Sequence, residues 1–158
     1  LERNIHFSQK GKLELTARFT NTGTKPISFS EYNHNFIGLD DLPAGPRYSV
    51  QTAFALDSEI VHPWLVAGEN EISFKGPLPE ARSGYLKFSG PFPPESHSVT
   101  IKFEGAEIVG ISGDFEISRF EFFSLKDAVC PETFIQSTVE PQETRTWTRT
   151  YTFKGVSR

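Results

Sequence analysis

The clearest pattern in the chain is an uninterrupted alternation of apolar and polar residues over Lys12–Thr20. Side chains of a strand point alternately to its two faces, so this run predicts a strand with one apolar face and one solvated face. The apolar face carries Leu13, Leu15, Ala17 and Phe19, and the polar face carries Lys12, Glu14, Thr16, Arg18 and Thr20. Residues 21–24 (Asn-Thr-Gly-Thr) then predict a turn, because Gly and Asn tolerate positive φ.

A second alternating run follows the turn, and we predict that residues 25–36 form a strand that pairs with the first as a hairpin. One face of this strand would carry Tyr32, His34 and Phe36, and the other would carry Glu31, Asn33 and Asn35. Polar groups therefore occur on both faces. This distribution is typical of a strand that lines a cleft, and not of a solvated edge.

The rest of the chain consists of short runs rich in Phe, Thr, Val and Ile, separated by Pro and Gly. Such runs joined by turns predict an all-β domain, and no helical period is visible. Candidate strands cover residues 71–75, 85–89, 98–103, 106–111, 115–124, 130–135 and 144–153, and loops are predicted at residues 40–47, 76–84 and 90–94.

The last run, Thr144–Phe153, places Thr at every second position and alternates it with Arg145, Trp147, Arg149, Tyr151 and Phe153. Two interpretations are open, a packed face of the sheet or a platform for a ligand. We favour the packed face, because β-branched Thr suits a pleated surface and rows of aromatic residues on strands usually belong to a core.

Length and charge narrow the functional classes. With 158 residues the chain has the size of one domain, and we expect residues 1–158 to form a single β-sandwich. A net charge of −4 without a Lys/Arg block argues against a nucleic-acid partner. No apolar run approaches the roughly 20 residues of a membrane-spanning helix, so no membrane partner is expected. One Cys and no Asn-x-Ser/Thr sequence favour a reducing compartment, and we expect a cytoplasmic location.

His34 and Glu132 are the candidate catalytic pair. His34 lies among aromatic and amide residues, and Glu132 lies in an apolar run where an unpaired carboxylate would be costly to bury. Each also has a structural explanation, because single histidines are often hydrogen-bonded core residues and buried Glu is often satisfied by an amide or an Arg. His62 and His97 lie in loop-like sequence and are expected at the surface.

A metal site is not expected from the sequence. Glu31 with His34, or Asp40 with Asp41, could be drawn as pairs of ligands, yet no Cys/His spacing supports zinc and no EF-hand loop occurs. A nucleophilic triad is not predicted either, because Gly-x-Ser-x-Gly is absent and Cys130 has no His near it in sequence.

Several segments resemble the aldose 1-epimerases, or galactose mutarotases. Residues 33–39 (Asn-His-Asn-Phe-Ile-Gly-Leu) resemble the family's Asn-His-x-Tyr-Phe-Asn-Leu segment, preceded as there by an Asn-Thr-Gly turn and a Pro-Ile strand. Residues 42–46 resemble its Pro-Thr-Gly loop. Residues 130–134, 140–144 and 147–153 are similar to its Glu-Thr strand, Pro-Gly-Glu turn and final strand.

This resemblance implies the large antiparallel sandwich of the galactose mutarotase-like proteins, often called a supersandwich. It implies that His34 protonates the ring oxygen of a sugar and that Glu132 takes the proton of the anomeric hydroxyl, so that α and β anomers interconvert. Tyr32, Asn33 and Asn35 would bind the substrate, a monosaccharide or sugar derivative, and no cofactor would be needed. His34 and Glu132 should then face one cleft, far enough apart to hold a pyranose between them.

The chain also departs from the family pattern. The family's second histidine and its sugar-binding arginine precede the region of His34, and nothing before His34 here matches them. Gly38 replaces the last Asn of the motif and Phe36 its Tyr. We therefore expect the carboxyl-terminal part of a longer domain, completed by an amino-terminal segment or by a homo-oligomer. Two alternatives to an isomerase stay open, a non-catalytic carbohydrate-binding domain and an accessory β-sandwich domain.

Overall fold

The computed structural model describes residues 1–9, 11–40, 42–56, 60–94 and 97–155. In these ranges the chain forms β-strands without helices, and no helix is present that is long and apolar enough to cross a membrane. The strands are β1 Glu2–Gln9, β2 Lys12–Thr20, β3 Ile27–Glu31, β4 Tyr48–Thr52, β5 Leu65–Ala67, β6 Glu71–Phe74, β7 Gly84–Ser89, β8 Ser98–Phe103, β9 Ala106–Gly113, β10 Arg119–Leu125, β11 Ala128–Val139 and β12 Thr144–Phe153.

These strands form two antiparallel sheets. The larger sheet has eight strands in the order β1-β2-β12-β9-β8-β4-β6-β5, and the smaller has four in the order β3-β11-β10-β7. Their inner faces share one apolar core, which includes Val50, Ile72 and Ile101 of the large sheet and Leu86, Phe120 and Phe122 of the small sheet. The all-β antiparallel sandwich predicted from the sequence is therefore confirmed.

Strands β2 and β12 have the bounds that their alternation predicts, and they pair with each other along almost their whole length. Their Thr side chains meet on the outer face, where Thr16 and Thr148 are hydrogen-bonded at 3.2 Å. On the opposite face of β12, Trp147, Arg149 and Tyr151 are buried. The packed-face interpretation of this strand is confirmed.

The predicted hairpin between β2 and β3 is wrong. β2 pairs with β1 and β12 in the large sheet, whereas β3 pairs with β11 in the small sheet. The turn between them is directed by the buried side chain of Asn21, whose Nδ2 donates to the carbonyls of Lys25 and Val139. Buried polar groups need hydrogen-bond partners, and Asn21, at the end of a strand of the large sheet, finds one in a carbonyl of the small sheet. The chain therefore passes from the large sheet to the small one at this turn.

The predicted strand over residues 25–36 is also too long, because β3 ends at Glu31. Residues 32–36 are irregular, and Ile37 makes a single antiparallel bridge with Val129 in the register of the β3–β11 pair. One cause is Pro131, which lies opposite Asn35 in that register and has no N–H to donate to a ladder. The side chains of Asn33 and Asn35 bond instead to Tyr151 of β12 and to the carbonyl of Pro131.

The remaining candidate strands appear with small shifts at their ends. The run 130–135 is part of a longer strand, Ala128–Val139, and in the run 115–124 the strand begins only at Arg119. The preceding residues Phe115 and Ile117 are buried, so their alternation reflects core packing outside a strand. Strands β1, β4 and β5 were not among the predicted elements.

Candidate functional site

The candidate site lies on the outer face of the small sheet, on the strand β11. Val129 of β11 belongs to the core, so the alternate residues Cys130, Glu132 and Phe134 point to the opposite face. All three are nevertheless buried, Glu132 with only 4% of its surface exposed. Something other than the core must cover them.

They are covered by the irregular residues 32–36 that follow β3, the covering segment. The ring of Tyr32 stacks on Phe134 with centroids 4.2 Å apart, and the ring of Phe36 packs edge-on against Phe123 at 6.1 Å. His34 lies between these two rings, 4.9 Å from Tyr32 and 5.7 Å from Phe36. Tyr32, His34 and Phe36 therefore point to one side, as the alternation predicts, although they are not in a strand.

His34 and Glu132 are in direct contact although 98 positions separate them in sequence. Nδ1 of His34 lies 2.6 Å from Oε1 of Glu132, and Nε2 of the same ring lies 3.2 Å from the hydroxyl of Tyr32. The imidazole is 59% exposed, whereas the carboxylate is buried behind it. The side chains of His34 and Glu132 therefore converge, as expected. The expected space between them is absent, because this hydrogen bond leaves no room for a pyranose between the two groups.

Cys130, which is buried, completes a trio with this pair. Its thiol donates to Oε1 of Glu132 at 3.3 Å, the same oxygen that His34 contacts. Burial, reinforced by the hydrogen bond and charge of Glu132, raises the pKa of the Cys130 thiol far above its ordinary value. The thiol is therefore a protonated donor at neutral pH and not a nucleophile.

The two Asn residues predicted to bind substrate hold the covering segment in place. Asn35 donates to the carbonyl of Pro131 at 2.6 Å and accepts from the hydroxyl of Tyr151 at 2.7 Å. Asn33 donates to the same hydroxyl at 3.2 Å. Both amides thus point away from the exposed ring of His34, and they position it by fixing the backbone on either side.

The alternative pairing of Glu31 with His34 as metal ligands, which the sequence did not favour, is not present. Glu31 accepts from the buried guanidinium of Arg149 at 2.8 Å and from the indole of Trp147 at 3.0 Å, on the inner side of the sandwich. Asp41, the second residue of the other pair considered, lies outside the described residues.

Sequence reasoning missed a charged and aromatic group beside Glu132 on β10 and β7. Glu121 of β10 lies directly opposite Glu132 of β11 in the ladder. Nε of Arg119 is 2.8 Å from the carboxylate of Glu121. The guanidinium of Arg119 also lies 3.8 Å above the ring of Phe134. Burial, followed by a hydrogen bond to Glu121, raises the pKa of Tyr85. The available signal was the polar residues at alternate positions of an otherwise aromatic strand.

An open cleft of about 530 Å3 borders the covering segment. It is lined by Tyr32, His34 and Phe36 of this segment and by Leu13, Leu15 and Tyr151 of the large sheet. Its size lies within the roughly 300–1,000 Å3 typical of small-molecule sites. The buried Glu132 is not among the residues that line it.

His97 is not at the surface, contrary to prediction. It is buried with its ring against Phe115, and its two nitrogens lie 3.3 Å from the carbonyl of Phe115 and 3.0 Å from the hydroxyl of Thr133. Gly113 provides the space, since a Cβ at that position would collide with the imidazole. Burial is the main reason that the pKa of His97 falls to about 4.

No protein-family model matches the sequence, and comparison with curated proteins finds no match. Solved structures do match the fold. A galactose mutarotase related enzyme from Lactobacillus acidophilus aligns with a TM-score of 0.71 at 10% identity, over 97% of this chain and 60% of its own. Slr1438 from Synechocystis sp. PCC 6803 aligns at 0.65 and 15% identity over 95% and 53%. A candidate aldose 1-epimerase from Escherichia coli K12 aligns at 0.64 and 15% over 98% and 60%.

The chain has the galactose mutarotase-like fold. At these identities the similarity concerns the fold alone, and the fold expected from the sequence resemblance is confirmed. The chain spans about half to three-fifths of the length of these three proteins.

One departure from the mutarotase motif has a local explanation. Gly38 follows the bridge between Ile37 and Val129, and a Cβ at Gly38 would lie 2.7 Å from the carbonyl oxygen of Asp127. Any larger residue, including the Asn of the family motif, would require this backbone approach to open.

Proposed function

We propose that this chain carries the acid/base pair of an aldose 1-epimerase-like isomerase, which interconverts the anomers of a monosaccharide or sugar derivative. The observation that supports the proposal best is the meeting of His34 and Glu132. Two residues from distant parts of the sequence, one exposed and one buried, share a short hydrogen bond on a mutarotase-like fold.

The number of protons that His34 and Glu132 hold matches what the reaction needs. Ring opening needs one group that donates a proton to the ring oxygen and one that accepts the proton of the anomeric hydroxyl. An imidazolium and a carboxylate meet both needs, and together they hold the same single proton that a neutral imidazole and a carboxylic acid would hold. Closure of the ring on the other face of the aldehyde returns both protons and restores the starting pair.

The contact between the two groups must open before a sugar can react. The imidazole is the mobile partner, because it is mostly exposed and its outer nitrogen is held only by the hydroxyl of Tyr32 at 3.2 Å. Its displacement would uncover the carboxylate of Glu132, which it contacts at 2.6 Å. Catalytic hydrogen bonds of free enzymes often differ from those of the complex, so a closed resting pair is compatible with this role.

Aromatic side chains around the pair provide a surface for the apolar face of a sugar ring. Tyr32 and Phe36 flank the imidazole, and both rings are partly exposed toward solvent. Sites for small molecules commonly combine such aromatic walls with a few polar groups. The proposed sugar would therefore contact Tyr32 or Phe36 while its anomeric carbon approaches the pair.

Polarimetry of freshly dissolved α-glucose and α-galactose tests the proposal. The purified chain should accelerate mutarotation, and His34→Ala and Glu132→Gln should each lower the rate by about 10²-fold or more, as expected for loss of a positioned proton transfer. A matched control is His6→Ala, an exposed histidine on β1. No acceleration by the unaltered chain, or equal rates in all variants, would refute the isomerase.

A second candidate is a carbohydrate-binding domain without turnover. Its specific support is that the cleft contacts His34 but not Glu132, so a sugar bound there would meet one of the two proton-transfer groups. Calorimetry with the same sugars distinguishes the two functions. Binding that is weakened by Tyr32→Ala, without any acceleration of mutarotation, would favour the binding domain.

A further inference from the structure

We propose that His34, Cys130 and Glu132 form a binding site for a divalent cation of the zinc type. Nδ1 of His34, Sγ of Cys130 and a carboxylate oxygen of Glu132 all lie within 4.8 Å of one another. Imidazole, thiolate and carboxylate are the ligands that zinc takes in proteins, and three of them leave a fourth position open.

The two distances to the carboxylate oxygen of Glu132 need only a small adjustment, and Nδ1 of His34 lies within 4.8 Å of Sγ of Cys130. Ligand atoms at zinc–ligand distances of 2.0–2.3 Å in a tetrahedral site lie roughly 3.3–3.6 Å apart. The sulfur of Cys130 is already 3.3 Å from Oε1 of Glu132. Nδ1 of His34 is 2.6 Å from the same oxygen and must retreat by about 0.7 Å. That movement is outward, toward the exposed side of the ring.

The charges of the three ligands favour replacement of the protons on Nδ1 and Sγ by a divalent cation. In the free protein, hydrogen atoms link both Nδ1 and Sγ to one carboxylate oxygen. A divalent cation placed between the three atoms replaces these links, and with neutral imidazole, thiolate and carboxylate the cluster has no net charge. The thiol proton is released to solvent, together with a second proton if the imidazole starts out charged.

A neighbouring hydroxyl stabilises His34 in its metal-binding form. The hydroxyl of Tyr32 lies 3.2 Å from Nε2 of His34, where it can accept the proton of the tautomer whose Nδ1 is free to bind. This contact is the kind of outer support that zinc sites generally have.

The site has an entrance and an open coordination position on the same side. Cys130 and Glu132 are buried, so a cation can reach them only past the imidazole, which is 59% exposed. The fourth ligand would then be a water molecule on the solvent side. This inference stands independently of the proposed isomerase activity, because cation binding is measured without a sugar.

Titration of the metal-stripped chain with Co2+ tests the site, since cobalt bound to a thiolate shows an intense sulfur-to-metal charge-transfer absorption. We expect this band in the unaltered protein, its loss on addition of Zn2+, and its absence in Cys130→Ala. His34→Ala should weaken Zn2+ binding in calorimetry by more than about 100-fold, because loss of an outer partner alone costs 10–100-fold. His6→Ala should bind as the unaltered chain does.

Two results would overturn the proposal. One is the absence of a charge-transfer band in the folded, reduced protein. The other is a band or a Zn2+ affinity that is unchanged by His34→Ala. His34→Ala decides the matter even if Cys130→Ala does not fold, because the side chain of His34 is mostly exposed and its removal leaves the core intact.

Discussion

His97 should make the protein less stable in acid by an amount that can be worked out from its surroundings. The ring is buried, its Nδ1 donates to the carbonyl of Phe115, and its Nε2 accepts from the hydroxyl of Thr133. Both contacts suit the neutral imidazole. Burial lowers the pKa of His97, the hydrogen bond to the carbonyl of Phe115 opposes this, and the smaller effects of Arg149 and Asp114 act in opposite directions, so the pKa is about 4 in the folded protein.

The sign and size of the effect follow from the difference between this pKa and the ordinary value. The unfolded chain binds a proton at His97 near pH 6.5, whereas the folded chain does so only near pH 4. Stability contributed by the group is complete above pH 6.5 and is lost as the pH falls toward 4. Between pH 7.5 and pH 4.5 the loss is about 2.5 kcal/mol.

Urea unfolding at a series of pH values measures this loss. The unaltered protein and His97→Gln should differ in how much stability they lose between pH 7.5 and pH 4.5, with His97→Gln losing about 2.5 kcal/mol less. Carboxylates contribute equally to both and cancel in the comparison. The exposed His6, changed to Gln, serves as the control. Parallel curves for the unaltered protein and His97→Gln would refute the buried, neutral state of His97.

Three further predictions concern the site and its support. Tyr151→Phe should cost about 1–3 kcal/mol in urea unfolding, because it leaves the buried carbonyl of Asn35 without its 2.7 Å donor; a change below about 0.5 kcal/mol would contradict this. Glu31→Ala should cost about 3–5 kcal/mol, since it leaves the buried charge of Arg149 unpaired, whereas the exposed Glu2→Ala should cost about 1 kcal/mol at most. If both proposals hold, Zn2+ should abolish mutarotation and a chelator should restore it; full activity of the zinc-loaded protein would contradict their combination.

The strands whose bounds could be predicted are those with one face buried against the core, because burial then sets the alternation of apolar and polar residues. β2 and β12 have one buried face each, so the period of two appears directly in the sequence. The path from β2 to β3 could not be predicted in this way. It depends on the amide of Asn21 reaching the carbonyl of Val139, 118 positions away in sequence, and alternation carries no information about such a contact.

The site was predictable in part for the same reason. His34 and Glu132 were found as polar residues in apolar surroundings, and Cys130 could have been added, because residues two positions apart on a strand share a face. The direct contact between His34 and Glu132 could not be foreseen. It depends on the pairing of β3 with β11, whose register continues to the bridge between Ile37 and Val129 and sets His34 opposite Glu132.

A double-mutant cycle on the mutarotation rate tests most directly whether His34 and Glu132 act as one acid/base unit. Rates are measured by polarimetry for the unaltered chain, His34→Ala, Glu132→Gln and the double variant. The account predicts that each single change costs about 10²-fold or more and that the double variant is no slower than the slower single one, as for residues that act together. An unaltered chain that does not accelerate mutarotation, or a single variant that keeps the full rate, would contradict it.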